Sequence, residues 1–177
     1  MPALSARDAR LSSDLMKIRD LVNSSAGRLR ILSAKGNPPY EYEFEYRLRS
    51  IVKLDGNNPT YGASHIVRIR LPANYPIGQP IAETLTPIFH PHVFHSNVIC
   101  IGRRWMASEF LDLFVKRVGA IISFDPSYFD FKSPANQDAM DWAKNHMHLF
   151  PTDTFELGGS RPSVEWKEIK RIEWKNM

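Results

Sequence analysis

The chain is predicted to be an α+β protein with an antiparallel sheet, and three features of the sequence predict it. An amphipathic helical stripe comes first, segments that alternate apolar and polar residues follow, and helical spacing returns in the second half. That order of helix, strands and helices argues for an antiparallel sheet with helices packed against it. At 177 residues the chain suffices for one domain with a full core, read as residues 1–150, followed by a tail, 151–177, whose role the sequence does not assign.

The first helix begins at Ser5-Ala-Arg-Asp8, which has the spacing of a capping box, and continues as a stripe of Leu11, Leu15, Ile18 and Val22. Its other faces carry Arg7, Arg10, Lys17 and Arg19, which by themselves read as a solvated surface. In YEYEFEYRLRS, Tyr40, Tyr42, Phe44, Tyr46 and Leu48 alternate with charged residues, which predicts a half-buried strand with an aromatic inner face. LDGNNPTYG is a cluster of turn formers, and HIVRIRL puts Val67, Ile69 and Leu71 on the inner face of a second strand. From Phe110 to Ile122 apolar residues recur at helical spacing on several faces, so this helix is expected to be largely buried. SPANQDAMDWAKNHM predicts a third helix, with Pro134 in its first turn and Ala139, Trp142, Ala143 and Met147 on one face. Beyond Pro151 the pattern dissolves, and Trp166 and Trp174 fit strand or helix equally well.

Composition narrows the function. A hydrophobic fraction of 43% and a charged fraction of 24% are ordinary for a globular protein, so disorder throughout is not expected. The sequence has neither an apolar run of about 18 residues nor the apolar core of a signal peptide, so the expected location is the cytoplasm, away from membranes. The net charge of +4 comes without a basic stripe interleaved with aromatics, which argues against nucleic acid as a partner. A single cysteine excludes an internal disulfide and suits a reducing compartment.

That cysteine closes the segment HPHVFHSNVIC, His90 to Cys100. His90, His92, His95 and Cys100 suffice in number for a tetrahedral zinc site, but Pro91 disrupts a shared strand face and no second ligand cluster exists elsewhere. An inert buried thiol beside surface histidines is a second reading. A third is a cysteine nucleophile on a loop edge, with a polar group for an oxyanion and a carboxylate or hydroxyl for an incoming amine.

The surrounding motifs favour the third reading. LPANYPIGQPIAETLTPIFHPH, Leu71 to His92, resembles without a gap the segment of ubiquitin-conjugating enzymes that runs Phe-Pro-x-x-Tyr-Pro-x-x-Pro-Pro and ends in His-Pro-Asn. Cys100 follows His92 by eight residues, as the family's active cysteine follows its Asn, and NVICIG resembles the Gly-x-Ile-Cys-Leu run. Trp105 matches the Trp of Trp-Ser-Pro in a shortened loop; DPS and SPANQDA resemble Asp-Pro-Asn and Ser-Pro-Ala-Asn-x-x-Ala, with extra residues near YFDF between them. The resemblance extends over residues 5–148.

It implies the ubiquitin-conjugating fold: an N-terminal helix, a four-stranded antiparallel meander, a loop with the active cysteine and C-terminal helices. It also implies a transferase in which Cys100 accepts a ubiquitin-like protein from an activating enzyme as a thioester and passes it to an amine, lysine by expectation, of a target protein. Thiolate is both a good nucleophile and a good leaving group, so the chemistry needs no metal or organic cofactor; ATP would be used by the activating enzyme. His92 stands where the family has the Asn thought to support the oxyanion; an imidazole can donate one hydrogen bond, and its titration near neutrality is an expectation. The family's amine-contacting residue matches Ser133, with Asp130 as an equal rival, since a carboxylate would orient and help deprotonate lysine better than a hydroxyl. Arg103 and Arg104 are candidates to lower the thiol pKa or to meet an acidic partner.

Partner surfaces are implied likewise: Arg7, Arg10, Lys17 and Arg19 toward the activating enzyme, and Ile77 with Met106, Ala107 and Ser108 toward a ligase, if one is used. The departures from the family pattern suggest a distant branch, with a stand-alone bacterial enzyme of an antiviral operon as the favoured setting and a divergent eukaryotic member second. A non-catalytic modifier-binding relative and a small His/Cys metal-binding protein are the rival functions.

Overall fold

A computed structural model describes residues 5–102, 105–151 and 153. The first helix, α1 (Ala6–Ser24), starts where the capping signal places it: the Ser5 hydroxyl accepts from the Asp8 N–H at 3.0 Å. Its buried stripe is Leu11, Ile18 and Leu21, with Leu15 and Val22 half-buried against the same core.

Four strands form the main sheet in the order β1 (Leu29–Gly36), β2 (Pro39–Tyr46), β5 (His65–Arg70), β6 (Ile81–Thr84), all neighbours antiparallel. This is a meander, interrupted between β2 and β5 by a separate hairpin of β3 (Ser50–Asp55) and β4 (Asn58–Gly62). The segment LDGNNPTYG is therefore mostly strand, and only Gly56 and Asn57 make the turn, with Asp55 facing Asn58. Gly56 supplies the left-handed φ of +58° there. Strand β1 carries no period-two signal because only Leu29 along it is buried.

The inner face of β2 holds Tyr42, Phe44 and Tyr46, at most 1% exposed, stacked beside Val67 and Ile69 of β5. Tyr40 departs from the expected inner face: it is exposed, and its ring lies so close over Gly36 that a Cβ there would come within 2.5 Å of it. On the outer face Glu41 faces Arg70 and Glu43 faces Arg68, the latter pair at 2.8 Å. Exposed pairs of this kind favour the register more than they add to stability.

The second helix, α2 (Leu111–Ile122), buries Leu111, Phe114, Val115, Val118, Ile121 and Ile122, as its apolar spacing requires. Its N-cap, Phe110, has no capping side chain. The cap comes instead from α1: Asp14, 1% exposed, accepts from the Leu111 N–H at 3.0 Å, from the Tyr75 hydroxyl at 2.6 Å and from Arg10 at 2.9 Å. The third helix, α3 (Gln137–Asn145), is shorter than expected at both ends. Asn136 takes the Ala139 N–H and so starts the helix after Pro134, while Met147 lies beyond its end, exposed, in a 3₁₀ turn. Ala139, Trp142 and Ala143 form its buried face.

Beside the main core lies a second apolar cluster: Ile51 from β3, Phe124 after α2, and Trp142 and Ala143 from α3, flanked by Phe89, Phe129 and Phe150. The tail reading, with Trp166 and Trp174, lies outside the described residues.

Replacing Asp14 removes the cap of α2 and leaves the half-buried Arg10 guanidinium without its carboxylate. An Asp14→Ala substitution is expected to cost about 3–5 kcal/mol, read as a lowered midpoint in urea unfolding; a loss under about 0.5 kcal/mol would contradict this role.

Candidate active site

The segment from His90 to Cys100 folds back on itself. The Phe94 and Val98 backbones bond at 2.9 Å, and Asn97 takes the left-handed φ of +67° that the turn between them needs. The returning residues pair with the edge of the sheet: Val98 bridges Glu83, and the Ile99 N–H donates to Ala82 at 2.9 Å. Cys100 follows immediately, half-buried, where the pairing ends.

Opposite it, His92 is held by three hydrogen bonds. The Cys100 N–H donates to the His92 carbonyl at 2.7 Å, the His92 N–H donates to Nδ1 of His90 at 2.9 Å, and Nε2 of His92 accepts the Asp130 N–H at 2.9 Å. Because Nε2 is an acceptor, the neutral ring carries its proton on Nδ1, and that N–H has no partner among the described residues. That nitrogen is buried, so in this structure the ring's one remaining donor is covered rather than presented to the cleft.

Both imidazoles are buried. The His90 ring lies 4.2 Å from that of Phe124, and Phe129 packs 5.6 Å from His92. Burial pushes the His90 pKa well below the usual histidine value, and the neighbouring His92 adds to it. Burial lowers His92 as well, against the opposing pull of the Asp130 carboxylate. The direction of this shift and the acceptor role of Nε2 both favour the neutral ring, against the expected titration of His92 near neutrality.

A cleft of about 180 Å³ opens between Cys100, His92, Ile101 and Gly102 on one side and Ser127, Tyr128, Phe129 and Asp130 on the other. Asp130 is exposed, and its Oδ1 accepts the Lys132 N–H at 2.8 Å. Ser133 is exposed and does not line the cleft. The second apolar cluster supports the Asp130 side, with Phe129 stacked on Phe124 and packed tilted against Phe150. Sequence reasoning did not single out these phenylalanines; the crowding of Phe124, Phe129 and Phe131 around Asp125-Pro126 was the available signal.

The histidines do not converge on a metal. Among the described residues no three His, Cys, Asp or Glu side chains form a ligand group, and His95 sits exposed on the turn. Each buried imidazole already uses one ring nitrogen to accept a backbone N–H. Arg103 and Arg104 lie outside the described residues.

Of the cations on α1, Arg10 is engaged within the domain. Its side chain is 14% exposed, donates to the Ala107 carbonyl at 2.7 Å and to that of Glu109, and pairs with Asp14. Arg7 is half-buried, reaching the Pro72 carbonyl at 3.4 Å, and Lys17 covers the ring of Phe110 at 4.3 Å. Trp105 donates to the Pro76 carbonyl at 2.7 Å, which brings the loops of Ile77 and Met106 to one end of the molecule, both side chains exposed.

No family model matches the chain. A curated protein of Dictyostelium discoideum, the ubiquitin-conjugating enzyme E2 pex4, is 29% identical over 104 residues, which is 56% of this chain and 67% of that protein. Two solved structures described as candidate ubiquitin-conjugating enzymes share the fold. One, from Trypanosoma cruzi, has a TM-score of 0.61 at 18% identity over 85% of this chain and 97% of its own. The other, from Plasmodium yoelii, has a TM-score of 0.59 at 19% identity over 84% and 90%.

The buried histidines make stability depend on pH in one direction. Their folded pKa values lie below the unfolded value of about 6.5, so below that pH the unfolded chain binds more protons and stability falls as pH falls. His65, also lowered by burial, adds to the same trend. Urea midpoints measured from about pH 7.5 down to about pH 5 should fall in the wild type and fall less steeply in His92→Asn; identical slopes would show that His92 is not buried neutral.

Proposed function

We propose that the chain, which has the fold of the ubiquitin-conjugating enzymes and is similar in sequence to one of them, is a divergent member of that family that carries a ubiquitin-like protein as a thioester on Cys100 and transfers it to an amine. The observation that supports this most is the cleft that joins Cys100, His92 and Asp130. In the first step the Cys100 thiolate attacks the modifier's C-terminal thioester on an activating enzyme, forming one C–S bond as the other breaks. In the second, an amine nitrogen attacks that carbonyl, the C–N bond forms, the C–S bond breaks, and the electron pair returns to Sγ. The proton lost by the amine passes to Asp130 and then to water or the released thiolate.

Each residue has a role consistent with its surroundings. The Nδ1–H of His92 is the candidate donor for the tetrahedral oxyanion, in place of the family's amide; it is buried in this structure, so the bound thioester must uncover it before it can serve. Asp130 keeps one carboxylate oxygen beyond its bond to the Lys132 N–H, which favours it over Ser133 as the group that orients the amine. No step requires a cofactor on this chain, and ATP enters through the activating enzyme. Arg7 and Lys17 on α1 remain the proposed contacts for that enzyme, and Ile77 with Met106 for a ligase. The departures at His92 and after Cys100 suit a distant branch, for which a bacterial antiviral operon is the inferred setting.

Incubation with ATP, a ubiquitin-activating enzyme and ubiquitin should yield an adduct on the wild type that thiol reductant removes, and one that resists reductant in Cys100→Ser. No adduct from an activating enzyme that charges itself would count against the proposal. Once charged, Asp130→Ala should discharge to lysine about 10–100-fold more slowly, whereas Ser133→Ala should stay within about twofold of wild type; the opposite ranking would reassign the amine to Ser133.

A further inference from the structure

The wall of the cleft that faces Cys100 is not purely polar. Tyr128 lines it beside Asp130, and the Tyr128 side chain is 38% exposed. It is presented by a fixed turn: Asp125 caps the Ser127 N–H at 2.8 Å, and the Tyr128 N–H donates to the Asp125 carbonyl at 3.0 Å. The next residue, Phe129, anchors that turn between His92 and Phe150. Phe131, also exposed, packs tilted against Phe129 with ring centroids 4.7 Å apart. An exposed aromatic alone is commonplace, but this one shares a small cleft with a thiol and with a carboxylate that has a free oxygen.

A tyrosine and an aspartate on the same wall of one cleft suit one chemical class of acceptor. A methylene stem is covered by the ring, and an ammonium at its end is attracted both by the ring face and by the carboxylate. A small nucleophile without a stem gains nothing from the ring. We propose that Tyr128 is a specificity-determining residue that, together with Asp130, selects acceptors bearing a primary amine on an aliphatic stem, of which the lysine side chain is the protein example. This rests on the thioester reading of Cys100.

The test separates the two. Wild type, Tyr128→Ala and Tyr128→Phe are charged on Cys100 by exchange with ubiquitin bearing a small C-terminal thioester, and thioester loss is followed after adding free lysine or hydroxylamine. Tyr128→Ala should discharge to lysine about tenfold more slowly, as loss of one ring contact implies, with hydroxylamine discharge within about twofold of wild type and Tyr128→Phe normal toward both. Equal slowing toward both nucleophiles, no change toward either, or slowed charging with normal discharge would each overturn the assignment. Failure of the wild type to charge at all would overturn the thioester reading and this inference with it.

Discussion

The hydrogen bond from the Asp130 N–H to Nε2 of His92 is the contact on which the site depends. It fixes the ring's tautomer, holds the Asp130 loop against the cysteine loop, and requires the imidazole to be neutral. The remaining bonds of His92 complete the arrangement, since its carbonyl receives the Cys100 N–H and its own N–H is taken up by His90. Each such bond contributes only about 1 kcal/mol net, while the two buried ring nitrogens without partners among the described residues, Nε2 of His90 and Nδ1 of His92, each cost about 1–3 kcal/mol. A side-chain amide in this position could serve the same loop. The imidazole performs that task with one nitrogen and keeps a proton on the other.

The second apolar cluster explains why a loop so rich in aromatic residues is held in one place. Phe129 is the residue before Asp130, and it is packed from three sides by Phe124, Phe150 and the histidine rings. The β3–β4 hairpin closes that cluster from outside, with Tyr61 donating to the Leu149 carbonyl at 2.6 Å and Trp142 donating to the Asn57 carbonyl at 3.1 Å. Asp153 fastens the end of the described domain to Arg28 and to the Arg49 N–H. On the opposite side Asp14 performs the equivalent service for α2 and the Tyr75 loop. The cysteine lies between two buttressed regions, at the point where sheet pairing stops.

Much of the fold was legible because its signals are periodic. The stripe of α1, the alternation of β2 and β5 and the apolar faces of α2 follow directly from burial on one or more faces. Strand β1 was not legible, since an edge strand with one buried residue has no alternation to read, and the β3–β4 hairpin was hidden because Asn, Pro and Gly are read as turn formers even where they pair. The start of α3 was misplaced because Pro134 and Asn136 are both plausible starts and only the side-chain cap decides between them. At the site, motif order identified Cys100 and His92 as a pair, but no local signal reveals that the ring accepts a backbone N–H or that burial lowers its pKa. Those depend on Phe124 and Phe129, which arrive from a distant part of the chain. For Arg10, charge alone suggested a solvated surface, and gave no sign of the carbonyl partners within the domain that the side chain takes.

The state of the His92 ring is the most direct measure of this account. Nitrogen NMR of the chain labelled at its histidine rings, with His92→Asn used to assign that resonance among the six histidines, reads both ring nitrogens at neutral pH. The account predicts a neutral ring with a bare Nε2 and a protonated Nδ1. An imidazolium, or the reverse tautomer with the proton on Nε2, would contradict it.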